Sequence, residues 1–137
     1  MKIPGSIDDQ NQLWTRMTIV GTKSFDEIDC IIDTGFNGEL VLPINIAVPL
    51  GLELSAYTEY TLGDGSKVPT YLFSGKIHWG TVKKDVTICV FRSGDPLLGG
   101  GLLNNYVLIA NFKSKILSIS EPDEDTPDTN DPDIDNP

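Results

Sequence analysis

The sequence predicts an all-β domain, and three observations carry that reading. Short stretches rich in Ile, Val, Thr and Tyr recur along the chain and are separated by Gly, Asp, Asn and Ser, the composition of strands broken by turns. Several of these stretches alternate apolar and polar residues with a period of two, which puts one set of side chains on each face of a strand. An Asp-Gly pair stands between two such stretches, a strong short-range signal for a hairpin. Helix is expected only as one or two short pieces.

Residues 13–20 (LWTRMTIV) and 25–33 (FDEIDCIID) read as strands joined by a hairpin connection around Gly21-Thr22-Lys23-Ser24. In the second strand, alternation sets Ile28, Cys30 and Ile32 on one face and Asp29, Ile31 and Asp33 on the other, so Cys30 is a core candidate. Leu40-Val41-Leu42 follows as a further apolar run, and Pro43 is placed to open a short helix through Ala47, limited to about a turn by Pro49. Residues 56–62 and 67–79 flank Gly63-Asp64-Gly65-Ser66, where the Asp-Gly pair favours the positive backbone angles of a tight turn. A strand at 82–92 turns Val82, Val86, Ile88 and Val90 to one face. Pro96-Leu97-Leu98 then leads into Gly99-Gly100-Gly101, and Leu102, Leu103 and Tyr106 fit one short helix. Residues 106–112 and 116–119 form a last hairpin across Lys113-Ser114-Lys115.

The chain has 137 residues and a formal net charge of −10. Eight of those negative charges lie in residues 121–137, which carry no basic residue, so the acidity belongs to the tail and residues 1–120 are near neutral. That segment is Pro, Asp, Thr and Asn with almost nothing apolar, and it reads as a disordered acidic tail behind a single domain of residues 1–120. Ten Lys and Arg scattered among the acidic residues make no basic stripe, which argues against nucleic acid as a partner. Residues 1–9 contain no apolar signal region and no run approaches the ~20 apolar residues of a membrane span, so a soluble, cytoplasmic protein with no membrane partner is expected. Cys30 and Cys89 lie in apolar runs without metal or redox spacing and are expected to be reduced and packed.

Asp33 ends an apolar strand, where an unpaired buried charge is expensive, and Thr34-Gly35 follows it. Ile31-Ile32 precede this triplet, and Gly38-Glu39-Leu40-Val41-Leu42-Pro43 come after it. Leu97-Leu98-Gly99, with Leu102-Leu103 beyond, stands some sixty residues later. Together these features resemble the catalytic loop and second signature of retropepsin-like aspartic peptidases, over about residues 13–120. The resemblance implies a single-lobe, acid-protease-like closed barrel with one or two short helices, and it makes Asp33, Thr34 and Gly35 the catalytic residues.

Because the chain has one such triplet and room for one lobe, the resemblance implies a homodimer in which symmetry supplies the second aspartate. Two Asp33 carboxylates would share a proton, one acting as base on a water and the other as acid towards the carbonyl of a peptide or protein substrate. Thr34 would lock the two loops across the axis and Gly35 would allow close backbone approach. Phe36 and Asn37, with Gly63, Asp64 and Gly65 of a flap hairpin, would contact substrate, and no cofactor or metal is implied. The chain departs from the viral members at Phe36, where they have Ala or Ser, and at Asn37 and Gly100, where they have an acidic residue paired with an arginine.

Plainer readings compete with each of these. Asp33 could be a turn carboxylate capping local amides. The glycine run 99–101 is not a dinucleotide loop, since Asn104 stands where that motif needs glycine. His78, the one histidine, shares a strand face with Lys76 and reads as solvated, and Trp14 and Trp79 read as packing or rim residues. The tail lacks the spacing of a calcium loop. Two other functions stay open: a non-catalytic binding or assembly module that keeps the same fold, which Phe36 favours, and an unrelated small β-barrel that happens to contain Asp-Thr-Gly.

Overall fold

The computed structural model describes residues 2–121. Eleven strands and two short helices follow one another: β1 (Lys2–Ile3), β2 (Gly5–Ile7), β3 (Leu13–Val20), β4 (Phe25–Asp33), β5 (Leu40–Pro43), α1 (Ile44–Leu50), β6 (Glu53–Thr61), β7 (Lys67–Trp79), β8 (Val82–Phe91), β9 (Leu97–Gly99), α2 (Gly100–Leu103), β10 (Val107–Asn111) and β11 (Ile116–Ser120). The strand β3 pairs with β4 on one side and with β7 on the other, through Thr18↔His78, Ile19↔Ile77 and Val20↔Lys76. The order β3-β4-β9-β5-β8-β7 therefore closes into a six-stranded barrel, with β2 and β6 added outside it. A second sheet, β1-β11-β10, packs Ile3, Leu117 and Ile119 against the same core.

Period-two alternation builds the interior. From β3 come Thr15, Met17 and Ile19, from β4 Ile28, Cys30 and Ile32, and from β7 Ile77 and Trp79, all buried, while Arg16, Asp29, Lys76 and His78 face water. Burying Trp79 completely removes its indole N–H from solvent, and that group donates to Thr15 Oγ1 at 2.9 Å. Thr15 Oγ1 in turn donates to the Pro4 carbonyl at 2.6 Å, so the polar atoms inside are paired. Trp14 sits at the rim, its indole donating to Asp8. No helix is long and apolar enough to cross a membrane among the described residues.

Three local expectations need correction. Helix α1 does not stop at Ala47 but runs through Pro49 to Leu50, because Leu50 is fully buried and the helix is ended instead by Gly51 in the left-handed conformation (φ 71°). Tyr106 lies outside α2, which stops at Leu103, and its ring packs on Trp79 at 5.2 Å between centroids. In the β6–β7 turn only Gly65 takes a positive φ (86°), since Asp64 accepts from Ser66 N and Oγ rather than adopting the mirror-image turn. The strands β1 and β2 were not foreseen, being too short for alternation to show. The disorder expected for 121–137 concerns residues that, after Glu121, lie outside the described ones.

The end of α1 is capped by tertiary contacts. Its last carbonyls lack partners within the helix, and the β3–β4 turn supplies them: Thr22 N donates to Gly51 O, Lys23 N to Leu50 O, and Ser24 Oγ to Pro49 O. This approach is possible because Gly21 has no side chain; a Cβ there would lie 2.0 Å from Leu50 O. Gly21→Ala is expected to lower stability by about 2 kcal/mol or more in thermal melts. Gly63→Ala, where a Cβ meets nothing within 4 Å, should stay within about 0.5 kcal/mol of the parent.

Burial, with the neighbouring Asp29 charge, pushes the Cys30 thiol up to about 12. A raised pKa in the folded state means that the folded chain holds a proton that the unfolded chain releases. The stabilisation is complete below the unfolded value of about 8.5 and is lost as pH rises towards 12. Denaturant midpoints should therefore fall steadily above about pH 9, and Cys30→Ala should flatten that alkaline decline while lowering stability at neutral pH through the space it leaves.

Candidate active site

Strand β4 delivers Asp33 to the rim of the barrel. It runs parallel to β9 in the register Ile31↔Leu97, Ile32↔Leu98, Asp33↔Gly99, and Ile31 N is held by the carbonyl of buried Pro96 at 2.9 Å. On its other side β9 pairs antiparallel with β5 through Leu40↔Leu98 and Val41↔Leu97. The triplet Leu97-Leu98-Gly99 thus lies between the strand that enters the Asp33 loop and the strand that leaves it.

The loop of residues 34–39 folds over the end of β9 and is fastened there by three consecutive glycine amides. Gly99 N donates to Glu39 O at 3.0 Å, Gly100 N to Phe36 O at 2.7 Å and Gly101 N to Gly38 O at 3.0 Å. A Cβ on Gly99 would lie 2.3 Å from Gly38 O, and one on Gly101 would lie 2.9 Å from the same oxygen. Close backbone approach, not an unusual φ, is what these two positions demand. At Gly100 the nearest contact of a Cβ would be an ordinary 3.5 Å.

Asp33 itself is half-buried, and Gly35 N donates to its Oδ1 at 3.0 Å. Phe36 N donates to the Asp33 carbonyl at 3.2 Å, which makes the tight turn after the strand. Thr34 and Asn37 are exposed, and neither side chain has a hydrogen-bond partner among the described residues. The Phe36 ring is half-buried and folds back into the space left by Gly38 and Gly99. Glu39 accepts from Thr87 N at 2.9 Å and lies 3.9 Å from Lys84 Nζ.

The structure brings Asp33, Thr34, Gly35, Phe36 and Asn37 together in one loop with Leu97-Leu98-Gly99 beneath it. Gly63, Asp64 and Gly65 form the tip of the β6–β7 hairpin and are exposed, and a Cβ on either glycine would meet nothing within 4 Å. Asp64 serves its own turn, where the Ser66 hydroxyl and amide hold its carboxyl below the usual carboxylate range. The hairpin meets the loop lower down, where Tyr60 packs edge-on against Phe36 at 6.2 Å and its hydroxyl lies 3.2 Å from Cys89 Sγ. Tyr60 carries no signal in the sequence, and Cys89 reads there only as a reduced, packed thiol, which the structure finds free and buried. A surface groove of about 460 Å³ between Val20, Glu53, Lys76 and Asp85 reaches Glu39 but does not include Asp33. No group of three or more His, Cys, Asp or Glu side chains among the described residues could hold a metal ion.

No protein-family model matches this chain, and no curated protein matches its sequence. Its fold, however, superposes on the crystal structure of a retropepsin-like aspartic protease from Rickettsia conorii with a TM-score of 0.63, covering 88% of each chain at 18% identity. The fold is that of a single retropepsin-like lobe. At that identity the likeness speaks for architecture, and the chemistry rests on the residues of the Asp33 loop.

The contact distances separate the three glycines. Gly99→Ala should cost about 3 kcal/mol or more, or prevent folding, because two backbone oxygens and the Phe36 ring occupy the space. Gly100→Ala, in the first turn of α2, should remain within about 1 kcal/mol of the parent. Urea denaturation of the two variants measures the difference directly.

Proposed function

We propose that this chain is one half of a homodimeric aspartic endopeptidase, with Asp33 of each copy forming the reacting pair. The observation that carries this reading is the setting of Asp33: half-buried at a strand end, fixed through Oδ1 by Gly35 N, on a loop held by the amides of Gly99, Gly100 and Gly101. A carboxylate meant only to cap a turn needs no such second element beneath it. The exposed Thr34 side chain supports a role at a two-fold contact between loops.

Two carboxylates about 3 Å apart do not both ionise readily and hold one proton between them. The ionised member takes a proton from a water as the water attacks the peptide carbonyl, and the protonated member donates to the carbonyl oxygen. No covalent enzyme intermediate arises. The β6–β7 hairpin, with Gly63, Asp64 and Gly65 at its tip, closes over an extended peptide, and Phe36 and Asn37 line the floor beside Asp33. Exclusion of water under such a flap strengthens every charge interaction beneath it.

A second reading, a peptide-binding module with the same fold, is favoured by one contact. Phe36, three residues from Asp33, already engages Tyr60 of the hairpin, so the loop and the hairpin touch with no peptide between them. Asp33→Asn separates the two readings, because Asn keeps the shape but can neither share the proton nor act as base. With the peptidase, the parent cleaves members of a peptide library, the variant loses at least about 10³-fold in kcat/KM, and both sediment as dimers. A parent that binds peptides as a dimer without cleaving any would favour the module, and cleavage persisting in the variant would rule out the Asp33 mechanism.

A further inference from the structure

Val41 and Cys89 are buried, at 4% and 2% exposure, yet neither belongs to the barrel core. Alternation accounts for this. On β5 the inward positions are Leu40 and Leu42, and on β8 they include Ile88, so Val41 and Cys89, which are partners in the β5–β8 register, point out of the barrel. Outward residues of a small barrel normally meet water, and these two are covered.

Tyr60 is the covering group in contact with Cys89. Its hydroxyl reaches Cys89 Sγ at 3.2 Å and its ring meets Phe36 at 6.2 Å with an interplanar angle of 64°. Phe36 is held in turn, its N–H on Asp33 O, its carbonyl on Gly100 N and its ring in the space that Gly38 and Gly99 leave. Tyr60 rides on β6, whose one sheet partner is β7. Above it the hairpin is unencumbered, since a Cβ on Gly63 or Gly65 would meet nothing within 4 Å. The hairpin is thus tied down at Tyr60 and loose beyond it.

We propose that Tyr60 is a positioning residue that latches the stalk of the β6–β7 hairpin to Cys89 and Phe36, setting the height of the hairpin and the conformation of the Asp33 loop together. This rests on the reading of Asp33 as the reacting carboxylate and of the hairpin as its flap. Two chemical details agree with a neutral latch. The bond to Cys89 pushes the Tyr60 phenol up to about 12, so the hydroxyl stays protonated and uncharged. Burial raises the Cys89 thiol, so the sulfur stays uncharged at neutral pH.

Amide hydrogen exchange on the full chain tests the latch without requiring activity. The reporters are Leu62 N and Gly65 N in the hairpin turn, Phe36 N in the loop with Gly100 N that donates to it, and Ile28 N and Ile88 N as core references. Tyr60→Phe keeps the ring and removes the hydroxyl, so exchange in the hairpin turn should rise about three- to ten-fold while the loop holds. Tyr60→Ala should accelerate the loop amides as well. Cys89→Ala should reproduce Tyr60→Phe, Cys89→Ser should restore the parent pattern by keeping an acceptor, and Tyr57→Phe on the outer face should change nothing. Parent-like hairpin exchange in Tyr60→Phe overturns the latch, as does an unmoved loop in Tyr60→Ala with the core references intact. If Tyr60→Ala accelerates the core equally, its fold is lost and Tyr60→Phe alone decides.

Kinetics add a separate reading. Tyr60→Phe should raise KM by a factor similar to the exchange change and leave kcat near the parent value, the pattern of lost binding rather than lost chemistry. An unchanged KM overturns the link between latch and substrate. Failure of the parent itself to cleave any peptide removes the peptidase reading, while the latch is still decided by exchange.

Discussion

Backbone meets backbone where the Asp33 loop crosses β9, and the rest of the molecule is arranged around that approach. Three glycine amides in a row donate to three carbonyls of the loop, at distances that leave no room for a Cβ on Gly99 or Gly101. The same short strand bridges β4 and β5, so removing it would open the barrel between them. Closure of the fold and placement of the carboxylate are therefore one constraint. Each backbone hydrogen bond contributes only about 1 kcal/mol net, but disturbing this crossing would disturb the barrel seam as well.

Burial is divided unequally by the barrel wall. Inside is a close-packed core with Trp79 at its centre and its one indole donor satisfied by Thr15. Outside, Val41 and Cys89 are a small apolar patch sheltered by the hairpin. The inner core needs only strand pairing and alternation to form. The outer patch includes a sulfur that Tyr60 of the hairpin touches, which couples the position of a surface element to a buried thiol.

Much of this was legible in the sequence, and the limits were physical. Strands β3 and β4 could be bounded to the residue because Met17, Ile19, Ile28, Cys30 and Ile32 repeat at the strand period between clear turn residues. The Asp33 loop and Leu97-Leu98-Gly99 were recognisable as a pair, and the structure brings them into contact. Helix α1 was underestimated because its end is decided by Gly51 and by residues 22–24 of a distant turn, which no local signal around Pro49 reveals. The pairing of Tyr60 with Cys89 was invisible for a related reason: alternation says which residues point outward, but not which of them a later hairpin will cover.

The site combines parts held with very different strengths. The loop is fixed by backbone bonds shared with the barrel seam, whereas Tyr60 of the hairpin meets the loop and β8 through one weak hydrogen bond to sulfur and one aromatic contact worth about 0.5–1.5 kcal/mol. Breaking the Tyr60 contacts costs less than breaking the row of glycine amide bonds beneath the loop. Tyr60 stands at the boundary, because its ring rests on the loop while its backbone belongs to the hairpin. That is a sufficient physical reason for an aromatic residue at position 36: a smaller side chain would fill the space beside Gly38 and Gly99 less completely and leave Tyr60 without a surface to return to.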